Sequence, residues 1–253
     1  ALPLMPSGRA DVYIAKIGEA FNWGARKGFM LENPAAGAIE RKKKIVRDQD
    51  QRHPFTVETL SLIFSAEWFR TGRGEKTING AYRDFQPHYF WLPLLALYTG
   101  ARLNEISQLR IADLGRTDAG TWFFDINEDP TDEGEGDKRL KNVNSQRKVP
   151  LHPELVRLGL PEYVKALTDA GYDRLFPELR HDPIKGYGKQ AGQWFNERFM
   201  GLKLKVPRDG KQSFHSFRHT LITALNRLRP NIPEFTINQL SGHERGETMS
   251  TKR

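Results

Sequence analysis

Cysteine is absent from all 253 residues. That removes disulfides, thiolate metal sites and any cysteine nucleophile, and it fits a reducing cytosolic compartment. Long apolar runs are missing as well. The most apolar stretch, Tyr89 to Tyr98, is interrupted by Pro93 and falls far short of the roughly 20 residues that a membrane helix needs. No signal-peptide pattern opens the chain, and its start at Ala1 reads as the middle of a longer protein. No internal repeat is visible. Acidic charge is the minority sign, with 31 Asp and Glu against 39 Lys and Arg, a net charge of +8. Such an excess points to a polyanion, nucleic acid first. An anionic membrane surface is the other candidate, but the basic residues are scattered among acids and not gathered on one amphipathic helix.

What is present is enough for a sizeable core: 38% hydrophobic residues, including five Trp and fifteen Phe. The length suits one large or two modest domains. Residues 12–30 carry Val12, Ile14, Ile17, Ala20, Phe21 and Trp23 at helical spacing, and Gly28 and Asn33-Pro34 stop the pattern. That is too little for an independent core. Arg41 to Arg52 is almost wholly charged or polar, a linker that can also lie along phosphates. A new domain opens at Pro54-Phe55-Thr56, with Thr56 capping a helix whose inward face is Leu60, Ile63, Phe64 and Trp68.

Pro87 opens a mostly apolar helix that leads into Thr99-Gly100-Ala101-Arg102, then a short helix carrying Glu105. Residues 121–126 read as a strand, and 141–151 as a second that returns from a tip holding six acids between Glu128 and Asp137. That tip does not match the calcium-loop spacing and reads as a flexible hairpin end. Helices follow at 152–170, 187–200, from Ser213 to Leu228 with a buried stripe of Phe214, Phe217, Leu221, Leu225 and Leu228, and from Ile232 to Ser241. The fold class is therefore mainly α with a small antiparallel β-sheet, an α+β arrangement.

Several residues can carry chemistry. Glu105 lies one helical turn from Arg102 and can hold its guanidinium still, while Gly100 lets the backbone come close to a ligand. His215, Arg218 and His219 share one helix surface. Two histidines four apart invite zinc, but the metalloprotease glutamate is missing and the arginine opposes a cation, so no metal is assigned. Lys141 by itself is a solvated strand lysine, and His243 after Gly242 by itself caps helix carbonyls.

In order, the chain presents T-G-x-R-x-x-E, then K-x-x-x-S-x-R-x-V-P-L, then H-x-x-R-H, then G-H. This set resembles the tyrosine recombinase (phage integrase) family, in its P4-like branch, over roughly residues 53–253. The resemblance implies that residues 1–45 are the last helices of a core-binding domain, 46–53 a basic linker and 54–253 the catalytic domain. It implies further that Arg102 and Arg218 hold the scissile phosphate, where planar guanidiniums give paired charge-assisted hydrogen bonds. His215 and His243 would share that phosphate, with His215 also taking part in proton transfer. Lys141, preferred to Lys138 for its distance to Ser145, Arg147 and Pro150, would protonate the departing 5′-oxygen. Glu105 would brace the site and His219 would support it from behind.

The family attacks with a tyrosine shortly after the G-H motif. None of the seven tyrosines stands there, so the nucleophile is expected just after Arg253 and this stretch is expected to bind DNA without forming the covalent bond. The implied partners are double-stranded attachment-site DNA and three further copies in a tetramer, with an excisionase or host DNA-bending protein as accessory candidates. No cofactor and no membrane is implied, and a cytoplasmic, nucleoid-associated location follows. Two other readings stay open: a type IB topoisomerase, and a DNA-binding regulator that keeps the scaffold without catalysis.

Overall fold

The computed structural model describes residues 7–38, 53–72, 85–128, 137–140, 145–206, 211–229 and 231–242. The chain divides into two compact units, 1–47 and 48–253. In the first, α1 (Ser7–Arg26) is followed by a return segment pinned to it by Asn33. The Asn33 amide donates to the Gly18 carbonyl at 3.1 Å and to Asn22 Oδ1 at 2.9 Å.

The second unit begins with α2 (Val57–Phe64), whose first turn is closed by the Thr56 hydroxyl accepting from the Thr59 amide. The helix stops at Ser65 and restarts as α3 (Glu67–Thr71), which buries Trp68. Then α4 (Pro87–Thr99) starts on Pro87, whose missing N–H is one that no helix start can use. Trp91, Leu92, Pro93, Leu94, Leu95 and Ala96 are all buried, so the helix is core on nearly every side and packs against the later helix Ser216–Arg227. Leu92 and Leu95, fully buried, contribute roughly 1.5–3 kcal/mol each.

After α5 (Leu103–Ser107) and a single 3₁₀ turn at Ile111–Asp113 comes a three-stranded antiparallel sheet. Its order is β1 (Leu114–Arg116), β2 (Trp122–Ile126) and β3 (Arg147–Pro150). The register pairs Leu114 with Phe124 and Phe124 with Val149, both central side chains facing the core. Strand β1 is a finding, because its three residues carry no readable alternation. The helix expected at 152–170 is two, α6 (Pro153–Arg157) and α7 (Leu160–Asp169), divided where Gly159 takes φ +90°.

Next, α8 (Gly188–Gln193) continues as a π-helical stretch, Trp194–Lys203. Hydrogen bonds of the i→i+5 kind lay residues five apart over one another. Trp194 thus stacks on Phe199 at 5.4 Å and also on Tyr89 of α4 at 3.8 Å. The last described helices are α9 (Ser216–Arg227) and α10 (Glu234–Ser241). The stripe expected on α9 is buried at Phe214 and Phe217, but Leu228 is 53% exposed because it caps the helix past the edge of the core. Among the described residues, no helix is long and apolar enough to cross a membrane.

Candidate functional site

The site begins where α4 ends. The Thr99 hydroxyl donates back to the Leu95 carbonyl at 2.6 Å and accepts from the Ala101 amide at 3.2 Å, which turns the chain sharply. Gly100 caps α4 at φ +63°, a conformation that costs a side-chain-bearing residue energy. A Cβ there would also come within 3.0 Å of Leu221 on α9. With nothing larger at this turn, α9 lies close enough for Arg218 to donate from Nη1 to the Gly100 carbonyl at 2.7 Å.

Arg102 is the N-cap of α5. Its amide donates to Glu105 Oε2 at 2.9 Å and its Nη1 to Glu105 Oε1 at 2.6 Å, so one carboxylate serves both the helix start and the guanidinium. The same Nη1 reaches the Ser145 hydroxyl at 3.0 Å, and Nη2 reaches the Gly242 carbonyl at 3.3 Å. Strand alternation brings in another arginine. On β3, Lys148 and Pro150 are exposed, while Val149 is buried and the Arg147 side chain is only 5% exposed. Arg147 Nη2 donates to Glu105 Oε2 at 2.9 Å, Nη1 to the Ser145 carbonyl at 2.7 Å and Nε to the Leu240 carbonyl at 2.8 Å.

Three guanidiniums therefore surround one carboxylate, leaving a net of two positive charges in a largely buried place. Burial pushes the Glu105 carboxyl up, but Arg147 and Arg102 together outweigh it and hold the group below its ordinary 4.5. For Arg218, burial and then repulsion from Arg102 bring the guanidinium down to about 9, against the pull of Glu105. Arg218 is 2% exposed, and its Nη2 is buried with no hydrogen-bond partner in the protein. A buried donor without an acceptor, in a pocket of excess positive charge, is suited to an anion with several oxygens.

The structure brings Arg102, Glu105 and Arg218 together around one carboxylate. His215 is the N-cap of α9, half-buried, with its ring centroid 5.0 Å from that of His219 in an edge-on arrangement. Lys141 and His243 lie outside the described residues. So do the basic run at 41–52 and most of the acidic tip. Lys138, the competitor for the role given to Lys141, is buried, with its ammonium 2.6 and 2.7 Å from the two Asp113 oxygens and 2.7 Å from Asn127 Oδ1. It faces the protein. Arg147 and Ser145, which enter the motif only through their distance to Lys141, both belong to the cluster itself. The alternation that puts Arg147 on the face of Val149 is the signal that could have found it. Among the described residues, no three His, Asp or Glu side chains are grouped to hold a metal ion.

Residues 77–251 match the family model described as "Phage integrase family". Among solved structures, the Tn1549 transposon integrase in complex with transposon right end DNA is 16% identical, with a TM-score of 0.56 over 95% of this chain and 73% of that one. The lambda integrase tetramer bound to a Holliday junction is also 16% identical, with a TM-score of 0.54 over 96% of this chain and 60% of that one. A XerA recombinase structure is 20% identical, with a TM-score of 0.46 over 76% of this chain, which spans 56% of it. No curated protein sequence matches the chain. The helical architecture with its three-stranded antiparallel sheet is the tyrosine recombinase catalytic-domain fold.

Proposed function

Because the chain belongs to the phage integrase family, we propose that it is a site-specific tyrosine recombinase that cuts and rejoins double-stranded DNA during integration or excision of a mobile element. The motif spacing supports its P4-like branch. One observation carries the reading: the donor left open on buried Arg218, beside Arg102 and within a net positive cluster. A DNA phosphodiester supplies one negative charge and two non-bridging oxygens. Charge on those oxygens grows as a nucleophile adds, so donors fixed in advance favour the transition state over the ground state.

In the proposed reaction a tyrosine oxygen attacks the phosphorus, its proton passing to His215, and the bond to the 5′-oxygen breaks. Lys141 gives that oxygen its proton, and the product is a 3′-phosphotyrosyl linkage. A 5′-hydroxyl from the partner strand reverses the step, so one phosphodiester is exchanged for another without an external energy source. Arg102 and Arg218 hold the non-bridging oxygens, His215 and His243 add donors, Glu105 braces Arg102, and His219 packs behind His215. The neighbours solved with DNA, one of them a tetramer on a Holliday junction, support attachment-site DNA and a tetramer as the working assembly. An excisionase or a DNA-bending protein would act on that assembly.

The test is a covalent trap with the polypeptide expressed from its complete reading frame, on nicked attachment-site DNA resolved by denaturing electrophoresis. A DNA-linked band is expected, with Arg218→Ala slowing its formation by about 10²–10³-fold, the usual cost of losing one transition-state donor. Tight binding to a verified site with no linked band would overturn the proposal and point to a regulator. Linkage without strand exchange between two sites would point to a topoisomerase.

A further inference from the structure

We infer that Arg147 is a positioning residue, locking the end of α10 onto the Arg102–Glu105 pair so that the Gly242 carbonyl stays in place against Arg102 at the proposed phosphate site. The inference rests on the recombinase reading. It concerns a residue to which the recombination motifs assign no chemical part.

The arginine touches three elements at once. It stands on β3, it meets α5 through Glu105 Oε2, and its Nε donates at 2.8 Å to the Leu240 carbonyl in the last turn of α10. The final carbonyls of a helix have no partner within the helix, and a cation there satisfies them while complementing the negative end of the dipole. Each Arg147 nitrogen has a protein acceptor, and the side chain is 5% exposed. Arg218, with Nη2 open, is the contrasting case. One of these arginines is arranged to take a ligand; the other is fully engaged by the protein.

The helix end is shaped to this guanidinium. Gly242 caps α10 at φ +64°, and a Cβ on it would fall 2.7 Å from Arg147 Nη1 and 3.0 Å from Cζ. The guanidinium therefore lies directly against the glycine that precedes His243. The carbonyl of that glycine accepts from Arg102 Nη2 at 3.3 Å. Moving the end of α10 would remove an acceptor from Arg102 and displace the chain just before His243. Arg147 also draws on the same carboxylate as Arg102, so the charge of Glu105 is divided between them and Arg102 is not fully neutralised.

The polypeptide from the complete reading frame, in wild-type, Arg147→Ala and Arg147→Lys forms, tests this by three readouts: DNA affinity at fixed salt, single-turnover adduct formation, and hydrogen exchange of amides 238–242. Arg147→Ala should keep its DNA affinity, exchange faster at those amides, and form adduct about 10²-fold more slowly, the scale expected from small misplacement of reacting groups. Arg147→Lys, keeping the charge and one donor, should recover part of both the protection and the rate. If Arg147→Ala does not fold, the lysine variant alone carries the comparison with wild type. An unchanged rate despite faster exchange would overturn the inference. So would rate and affinity falling together, which would make Arg147 a DNA contact. A wild-type protein that forms no adduct would refute the recombinase reading instead, and unchanged exchange at 238–242 would then still refute the lock.

Discussion

Replacing Glu105 with glutamine tests the physical basis of the cluster most directly. The substitution keeps the shape and one acceptor oxygen, and it replaces the other oxygen with an amide that can only donate. In the native chain that carboxylate accepts from the Arg102 amide at 2.9 Å, Arg102 Nη1 at 2.6 Å and Arg147 Nη2 at 2.9 Å, with its side chain 2% exposed. Glutamine would leave at least one donor facing a donor, and would leave three guanidiniums, those of Arg147 and Arg218 buried, with no counter-charge. Removing one partner of a buried ion pair costs about 3–5 kcal/mol, because the remaining charge cannot return to water. At roughly 2–4 °C per kcal/mol for a unit of about 200 residues, Tm should fall by about 6–20 °C.

The control is Lys165→Ala. The Lys165–Asp169 pair has the same 2.6 Å separation as Arg102–Glu105, but its side chains are 74% and 61% exposed. It should cost no more than about 0.5 kcal/mol, since water screens the pair in either state. Acidity gives a second check with a defined sign. The Glu105 carboxyl is held below its ordinary 4.5, so between that value and its native one the unfolded chain binds the extra proton. Its stabilisation is complete above the ordinary value and is lost as pH falls through the lowered one. The stability gap between wild type and Glu105→Gln, read from urea titrations, should therefore be full near neutrality and narrow below pH 4.5. Equal losses in the buried and exposed variants, or a gap that widens in acid, would refute the reasoning.

Two further substitutions follow from the same geometry. Gly100→Ala forces a side chain into φ +63° with its Cβ 3.0 Å from Leu221, and should lower stability by about 1–3 kcal/mol in urea unfolding while shifting the base of Arg218. Lys138→Met removes the ammonium between the Asp113 oxygens and leaves that carboxylate buried beside Asn127; a loss of about 3–5 kcal/mol in the same assay is expected, as for a buried pair deprived of one partner.

The turn at Gly100 and the Arg102–Glu105 pair were legible in the sequence because each depends on residues within a few positions. A glycine after an apolar helix, a threonine able to back-bond and a carboxylate three residues past an arginine specify geometry locally, and tertiary packing only has to agree with it. The approach of Arg218 was legible as a motif but not as a contact. It depends on α9 crossing the α4 turn closely, and that depends on Gly100 having no Cβ to meet Leu221. The π-helical stretch was hidden for a different reason. A 3.6-residue period puts Trp194 and Phe199 on diverging faces, so their parallel stacking with Tyr89 is visible only once the wider helix exists.

Arg147 shows where local reading ends. Its inward direction follows from strand alternation, but its three acceptors come from positions 105, 145 and 240, separated by up to about half the chain. No spacing rule connects them. What makes the residue necessary is a count of charges and carbonyls in one small volume: a carboxylate with an acceptor to fill, a helix end with orphan carbonyls, and a glycine that leaves room for a flat cation. Arg147, with every nitrogen engaged, fixes geometry, while Arg218, with Nη2 open inside a net positive cluster, is suited to a ligand. The pairing of those two states, Arg147 closed and Arg218 open around the same glutamate, is the physical reason for proposing the phosphate at Arg218 and the lock at Arg147.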